Sequence, residues 1–177
     1  MARQSDWIEM AKRGDRDAFH RVLEENYAMI HRVAYRFTGT MQDADDIAQD
    51  VCLKLAEKIR SFRGDSLFST WLYRLVVNAC ADHRKRRQTN TRNDRSYAEL
   101  EQQQQASSAD DNRMIAWLYR EIAQLEEPLK ATALLVLAEN LSHTEAGKVL
   151  NCAESTVSWR MHELRKILKA RKEASHA

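Results

Sequence analysis

The chain has 177 residues, of which 28 are Lys or Arg and 26 are Asp or Glu, for a formal net charge of +2. That balance excludes a uniform basic coat, so any nucleic-acid surface must come from local clustering. No apolar run reaches the roughly 20 residues that span a bilayer, and MARQSDWIEMAKRGD at the N-terminus lacks a signal peptide's apolar core. A soluble cytoplasmic protein is expected, of one domain or two small ones. With 4 Gly and 1 Pro the chain has few residues for the tight turns that strands need, which predicts an all-α fold.

In chain order, residues 6–12 read as a short helix that Ser5 or Asp6 would cap. A longer helix is predicted over 15–37, with Phe19, Val22, Leu23, Tyr27, Ile30, Val33, Ala34 and Phe37 recurring at three- and four-residue steps until Gly39 ends it. The next helix, from Asp43, sets Ile47, Val51, Leu55 and Ile59 at successive i+4 positions, one stripe facing a core. After the Arg63-Gly64-Asp65 break, a helix from Phe68 buries Leu72, Leu75, Val76 and Ala79 and runs into a basic cluster, Arg84 to Arg87. These four elements can share one core, and a first domain over 1–88 follows.

The apolar pattern then stops. TNTRNDRSYAELEQQQQASSADDN has almost nothing to bury and cannot offset its ordering entropy, so 89–112 is read as a flexible polar linker, with a local helix possible around 97–105. Periodicity resumes at Arg113 with Met114, Ile115, Leu118 and Ile122. Pro128 suits the first turn of a following helix that holds Ala131, Leu134, Leu135 and Leu137. Ser142-His143-Thr144-Glu145 is a capping-box pattern opening a short helix to Leu150, and Asn151 can take the left-handed turn after it. A final helix starts near Glu154 and reaches about Arg171, burying Val157, Met161, Leu164 and Leu168. Short helix, tight turn and longer basic helix make a helix-turn-helix within a second domain over 113–172, with a tail at 173–177.

Three groups of residues carry candidate chemistry. Opposite Ile47 and Val51 lie Asp43, Asp46, Gln49, Asp50 and Lys54, either an ordinary solvated face or a docking surface for a basic or amide-rich helix. Asp45 and Asp46 also raise a metal site, although hard cations need more converging oxygens than one helix supplies. The helix from Phe68 combines Trp71, Tyr73, Arg74, Asn78, His83 and Arg84, with the polar loop RGDSLF before it. Trp71 could fill the core, but aromatic, amide and basic groups together suit an unstacked base and its phosphates. In the last helix Ser155, Thr156, Ser158, Trp159, Arg160 and His162 occupy the turns that touch base edges. Arg160 has the fork for guanine, while Arg165, Lys166 and Lys169 would hold phosphates. The structural alternative is a plain helical hairpin with a solvated basic face. Cys52, Cys80 and Cys152 read as buried reduced thiols rather than a disulfide or redox switch. There is no Gly-rich phosphate loop, paired metal-ligand motif or nucleophile with its base, so neither an enzyme nor a cofactor is expected.

DADDIAQDVCLKL, FRGDSLFSTWLYRLVVNAC and LSHTEAGKVLNCAESTVSWRMHELR, in that order, resemble bacterial RNA polymerase sigma factors of the extracytoplasmic-function (ECF) class. The resemblance implies two helical domains, region 2 and region 4, that bind core RNA polymerase and direct it to promoter DNA. It implies that Asp46, Gln49 and Asp50, flanked by Asp43 and Lys54, face the clamp helices of the β′ subunit. The −10 element would fall to Arg63, Ser66, Phe68, Thr70, Trp71, Arg74, Asn78, Arg84, Lys85 and Arg86. The −35 element would fall to Ser155, Thr156, Ser158, Trp159, Arg160, His162, Arg165 and Lys166, in a domain resting on the β flap. An anti-sigma factor is the implied inhibitor. The chain departs from the family pattern in three places: Ala153 where a capping Ser or Thr is common, Ser155 for a frequent glycine, and Gly147 where alanine is usual. The first and last each imply a loss of ~1 kcal/mol, the last unless close packing requires glycine, and make region 4 the weaker or more adaptable half. The rival reading is a stand-alone helix-turn-helix regulator with an N-terminal dimerisation or sensor module.

Overall fold

The computed structural model describes residues 4–90 and 109–174. The chain divides into two compact units, one up to residue 97 and one from residue 98. Among the described residues every regular element is helical. The local helix expected around 97–105 lies outside the described residues, as does most of the expected linker.

In the first unit, α1 (Gln4–Lys12) buries Ile8 and Ala11, and Ser5 and Asp6 lie inside it rather than capping it. α2 (Arg16–Thr38) starts at Asp15, whose carboxylate accepts from the Ala18 N–H at 2.9 Å. It ends at Gly39, which takes φ of 81° and donates its N–H to the Tyr35 carbonyl at 2.7 Å. Its buried face is Ala18, Val22, Asn26, Ile30, Val33 and Ala34. Tyr27, expected on that face, is exposed, and Asn26 is buried instead. The Asn26 amide is satisfied locally, donating to the Val22 carbonyl at 2.7 Å, so burial carries no unpaired-group cost.

α3 (Met41–Lys58) is capped by Thr40, whose hydroxyl accepts from the Asp43 N–H at 3.2 Å. Ile47, Val51 and Leu55 line its buried stripe as expected, joined by Ala44 and Ala48, whose small side chains let α2 and α3 approach closely. A 3₁₀ turn, Ile59–Ser61, follows. α4 (Phe68–Asn90) continues two residues into the expected linker and packs on both α2 and α3. Its buried arc is therefore wider than one stripe: Thr70, Tyr73 and Cys80 join Leu72, Leu75, Val76 and Ala79. Each such large aliphatic side chain contributes ~1.5–3 kcal/mol of burial.

In the second unit, α5 (Ala109–Ala123) begins before Arg113 and buries Ile122, whereas Met114 is exposed. α6 (Leu129–Ala133) opens after Pro128 and passes into a π-helical turn, Leu134–Ala138, in which the Glu139 N–H reaches the Leu134 carbonyl at 3.1 Å. Leu134 and Leu135 are buried there, but Leu137 is exposed. α7 (His143–Leu150) has the expected capping box: the Glu145 N–H donates to the Ser142 hydroxyl at 3.2 Å and the Ser142 N–H to the Glu145 carboxylate at 2.9 Å. Asn151 closes it with φ of 53°. α8 (Glu154–Ala174) buries Val157, Met161 and Leu164. Near its end Arg171 donates to the Glu121 carboxylate of α5 at 2.7 Å.

At Gly147 close packing requires the glycine. A Cβ there would stand 2.8 Å from the Cys152 carbonyl oxygen, so the turn of the helix-turn-helix requires glycine. The expected loss of stability at this position is the condition for the turn closing tightly.

Candidate functional site

The face of α3 opposite the core resolves into two strips. Asp46 and Gln49 point outward, and Leu53, which is 65% exposed, continues that strip one turn after Gln49. Leu53 is absent from the sequence-based docking set because an apolar residue in an amphipathic helix reads as core. Its position seven residues after Asp46 was the available signal. The second strip turns toward α4. Asp43 is paired with Arg87, and His83 Nε2 stands 3.5 Å from it, leaving its side chain 13% exposed. Asp50 faces Arg86 at 3.5 Å, and Lys54 faces Asp82 at 3.5 Å. On the other flank Asp45 lies 2.9 Å from His31 Nε2 of α2, pointing away from Asp46. Among the described residues no three His, Cys, Asp or Glu side chains group as a metal ion would need. The Asp50–Arg86 pair is solvent-exposed and contributes ~0–1 kcal/mol, so either member can be recruited by a stronger partner.

The loop before α4 and the first turns of α4 build an aromatic cluster. Phe62 packs edge-on to Phe68 with centroids 5.4 Å apart, and Trp71 lies 5.4 Å from Phe62 and 5.6 Å from Phe68. Phe68 and Thr70 are both buried, packed into the domain by the wide contact arc of α4. Trp71 is half-buried, both a packing group and a partly presented ring. Trp71, Arg74 and Asn78 recur at i, i+3 and i+7 on one side of α4, with Asn78 exposed and Arg74 half-buried. Lys85 continues that side, and Arg84 and Arg86 are exposed nearby. Beside the cluster, Arg63 and Leu67 are exposed, Leu67 at 67%, and Ser66 is half-buried. Gly64 gives this loop its sharp turn, with φ of 80°.

In the helix-turn-helix, contacts between α7 and α8 position the recognition helix. The Thr144 hydroxyl donates to the Glu154 carboxylate at 2.7 Å, and His143 Nδ1 and the Ser158 hydroxyl are 2.9 Å apart. The first contact ties down the helix start at which Ala153 offers no capping side chain. Arg160 has partners within the unit. It is half-buried, and its guanidinium reaches the Thr132 hydroxyl at 3.4 Å and the Cys152 sulfur at 3.8 Å, bracing α8 against α6 and the turn. The outward face is Ser155, Trp159, His162 and Lys166, flanked by Arg165 and Ser158, while Thr156 is half-buried. Lys166 also contacts Glu163 at 2.9 Å, an exposed and exchangeable pair.

The three thiols form no disulfide: Cys80 is buried, and Cys52 and Cys152 are half-buried, less enclosed than expected. Burial pushes the Cys52 thiol above its ordinary range, which disfavours the reactive thiolate. Among the described residues no helix is long and apolar enough to cross a membrane.

Residues 22–90 match the family Sigma-70 region 2. Over 91% of its length the chain is 29% identical to the RNA polymerase sigma-H factor of Pseudomonas aeruginosa, covering 89% of that protein. It is 28% identical to the ECF RNA polymerase sigma factor SigW of Bacillus subtilis, covering 92% of each chain. The ECF RNA polymerase sigma factor SigM of Mycobacterium tuberculosis is 32% identical over 83% of this chain and 73% of its own. Among solved structures, the fold is similar to CnrH in complex with the cytosolic domain of CnrY, with a TM-score of 0.68, 21% identity, and coverage of 95% of this chain and 96% of that one. It is also similar to the sigma factor RpoE of Bartonella quintana in complex with the anti-sigma factor NepR, with a TM-score of 0.70, 21% identity, and coverage of 86% and 94%. At 32% identity to SigM over 83% of its length, the chain belongs to the ECF RNA polymerase sigma factor family.

Proposed function

We propose that this protein docks on core RNA polymerase through the outer strip of α3 and carries the enzyme to promoters that its two domains read. The observation carrying the proposal is that one small domain presents two different surfaces side by side. Asp46, Gln49 and Asp50 lie within the two turns before Leu53, so acidic and amide groups adjoin an exposed apolar side chain, as in a protein-binding patch. Around the corner on α4, Trp71, Arg74 and Asn78 offer a ring, a cation and an amide to an unstacked strand. On this reading region 2 spans 1–88 and reads the −10 element, with the loop from Arg63 to Leu67 closing on it. Region 4 spans 113–172 and reads the −35 element through α8 while contacting the β flap. An inhibitory anti-sigma partner belongs to the reading too, since both similar solved structures are complexes of that kind or hold a cytosolic partner domain. The site of action is the cytoplasm, where the polymerase works.

The structure changes which substitution tests this best. Asp43 and Asp50 have partners on α4, so altering them perturbs the domain as well as the docking face, whereas Asp46 is outward and exposed. Asp46→Arg should lower core polymerase affinity at least tenfold and abolish run-off transcription, while duplex DNA binding by α8 stays intact. Unchanged core affinity would remove the docking face from the proposal and favour the stand-alone regulator.

A further inference from the structure

Trp159 is the one large hydrophobic side chain among the described residues of α8 that solvent reaches freely, at 63% exposure. Val157, Met161 and Leu164 define the buried stripe, and at 100° per residue Trp159 falls diametrically opposite it. It therefore occupies the crest of the helix, the part that enters deepest when such a helix lies in a major groove. Its neighbours on that crest are Ser155, one turn before, and His162 and Lys166 after it. Arg160, which has the bidentate geometry for guanine, is turned aside onto Thr132 and Cys152.

Resting on the sigma-factor reading above, we infer that Trp159 is a specificity-determining residue that selects a thymine in the −35 element through its C5-methyl group. The chemistry is a match of two features. An indole offers a broad apolar ring and one N–H donor, with no acceptor. In the major groove thymine alone presents a methyl group, and beside it the O4 acceptor. Cytosine presents a donor and no methyl at the same place, so the indole would leave that donor unpaired. Adenine places an N6 donor beside its acceptor, and guanine has two acceptors but nothing apolar. The charges flanking the crest are cationic, Arg165 and Lys166, which suits a phosphate backbone.

The test uses the full-length protein reconstituted with core RNA polymerase. Promoters are enriched from a library randomised across the −35 region, and each thymine of the enriched element is then replaced in turn by deoxyuridine, which lacks only the methyl. At one thymine the wild-type affinity should fall about fourfold, the factor corresponding to one buried methylene-sized group. Trp159→Ala should show the loss already with thymine and no further loss with uracil, whereas Trp159→Phe should keep the methyl dependence. The inference is overturned if no thymine shows a methyl effect, or if the effect persists in Trp159→Ala. It is also overturned if Trp159→Ala weakens core binding and leaves promoter preference unchanged, which would make the indole a protein contact. Failure to enrich any promoter sequence would sink the sigma-factor reading itself and this inference with it.

Discussion

A methyl group at position 147 would meet the Cys152 carbonyl oxygen at 2.8 Å, whereas the Cys152 N–H already closes the turn onto the Gly147 carbonyl at 3.0 Å. Two effects oppose each other in Gly147→Ala. Alanine gains ~1 kcal/mol of helix propensity, and overpacking against backbone costs ~1–3 kcal/mol because a carbonyl cannot rotate away. The second should prevail. Gly147→Ala is expected to lower the thermal midpoint of the helix-turn-helix unit, and a raised midpoint would show that the turn yields. Arg160 teaches a related lesson at the same scale. Its residue type and its place in α8 suggest base reading, yet one step along a helix rotates a side chain by 100°, enough to move it from the crest to the flank. Leu53 and Asn26 are the mirror cases, an apolar residue outside and an amide inside.

Among the elements, α7 depends on its capping box for a start, since eight residues form too short a helix to persist alone. The Ser142 hydroxyl, and after it the Ser142 N–H, hydrogen-bond the Glu145 carboxylate and hold its pKa below the ordinary glutamate value. A depressed folded-state pKa means that the stabilisation is full above the ordinary glutamate range and is lost as pH falls through the lowered value. Glu145→Gln removes that titration. Thermal midpoints of wild type and Glu145→Gln should differ at neutral pH and converge on acidification, and parallel curves would dissociate the carboxylate from the cap. The stop of α2 and both caps of α7 were legible because Gly39, Ser142 and Asn151 act on backbone groups within four residues of themselves. The π-helical turn at Leu134–Ala138 was not legible, because its residues differ in no local way from those of an ordinary helix. Neither was the breadth of the buried arc on α4, which arises from having two helical neighbours.

For the whole molecule, energetics tie the two faces of region 2 to the polymerase. Opening about ten base-pair steps costs on the order of 14 kcal/mol at ~1.4 kcal/mol each. Stacking one or two flipped bases returns only ~1–3 kcal/mol per base. The domain alone cannot hold DNA open. Permanganate reactivity of promoter thymines should therefore appear only when core polymerase is added, and a bubble formed by the free protein would overturn the proposed division of labour. The exposed Asp50–Arg86 pair joins α3 to the basic end of α4, so on the proposed reading the surfaces for protein and for DNA meet at a contact weak enough to rearrange when either ligand arrives.

Composition, periodicity and local motifs determined the helical class, the division into two apolar blocks, the stop of α2, both caps of α7, and the resemblance by which the family could be recognised. These properties are local or repetitive, and a linear string preserves them. Tertiary packing alone decided which members of each motif are available. It buried Phe68 and Thr70, turned Arg160 inward, paired Asp43 with Arg87, and left Leu53 and Trp159 facing outward. The reason is geometric: exposure depends on how many neighbours an element has and at what angle they lie, and those neighbours come from distant parts of the chain.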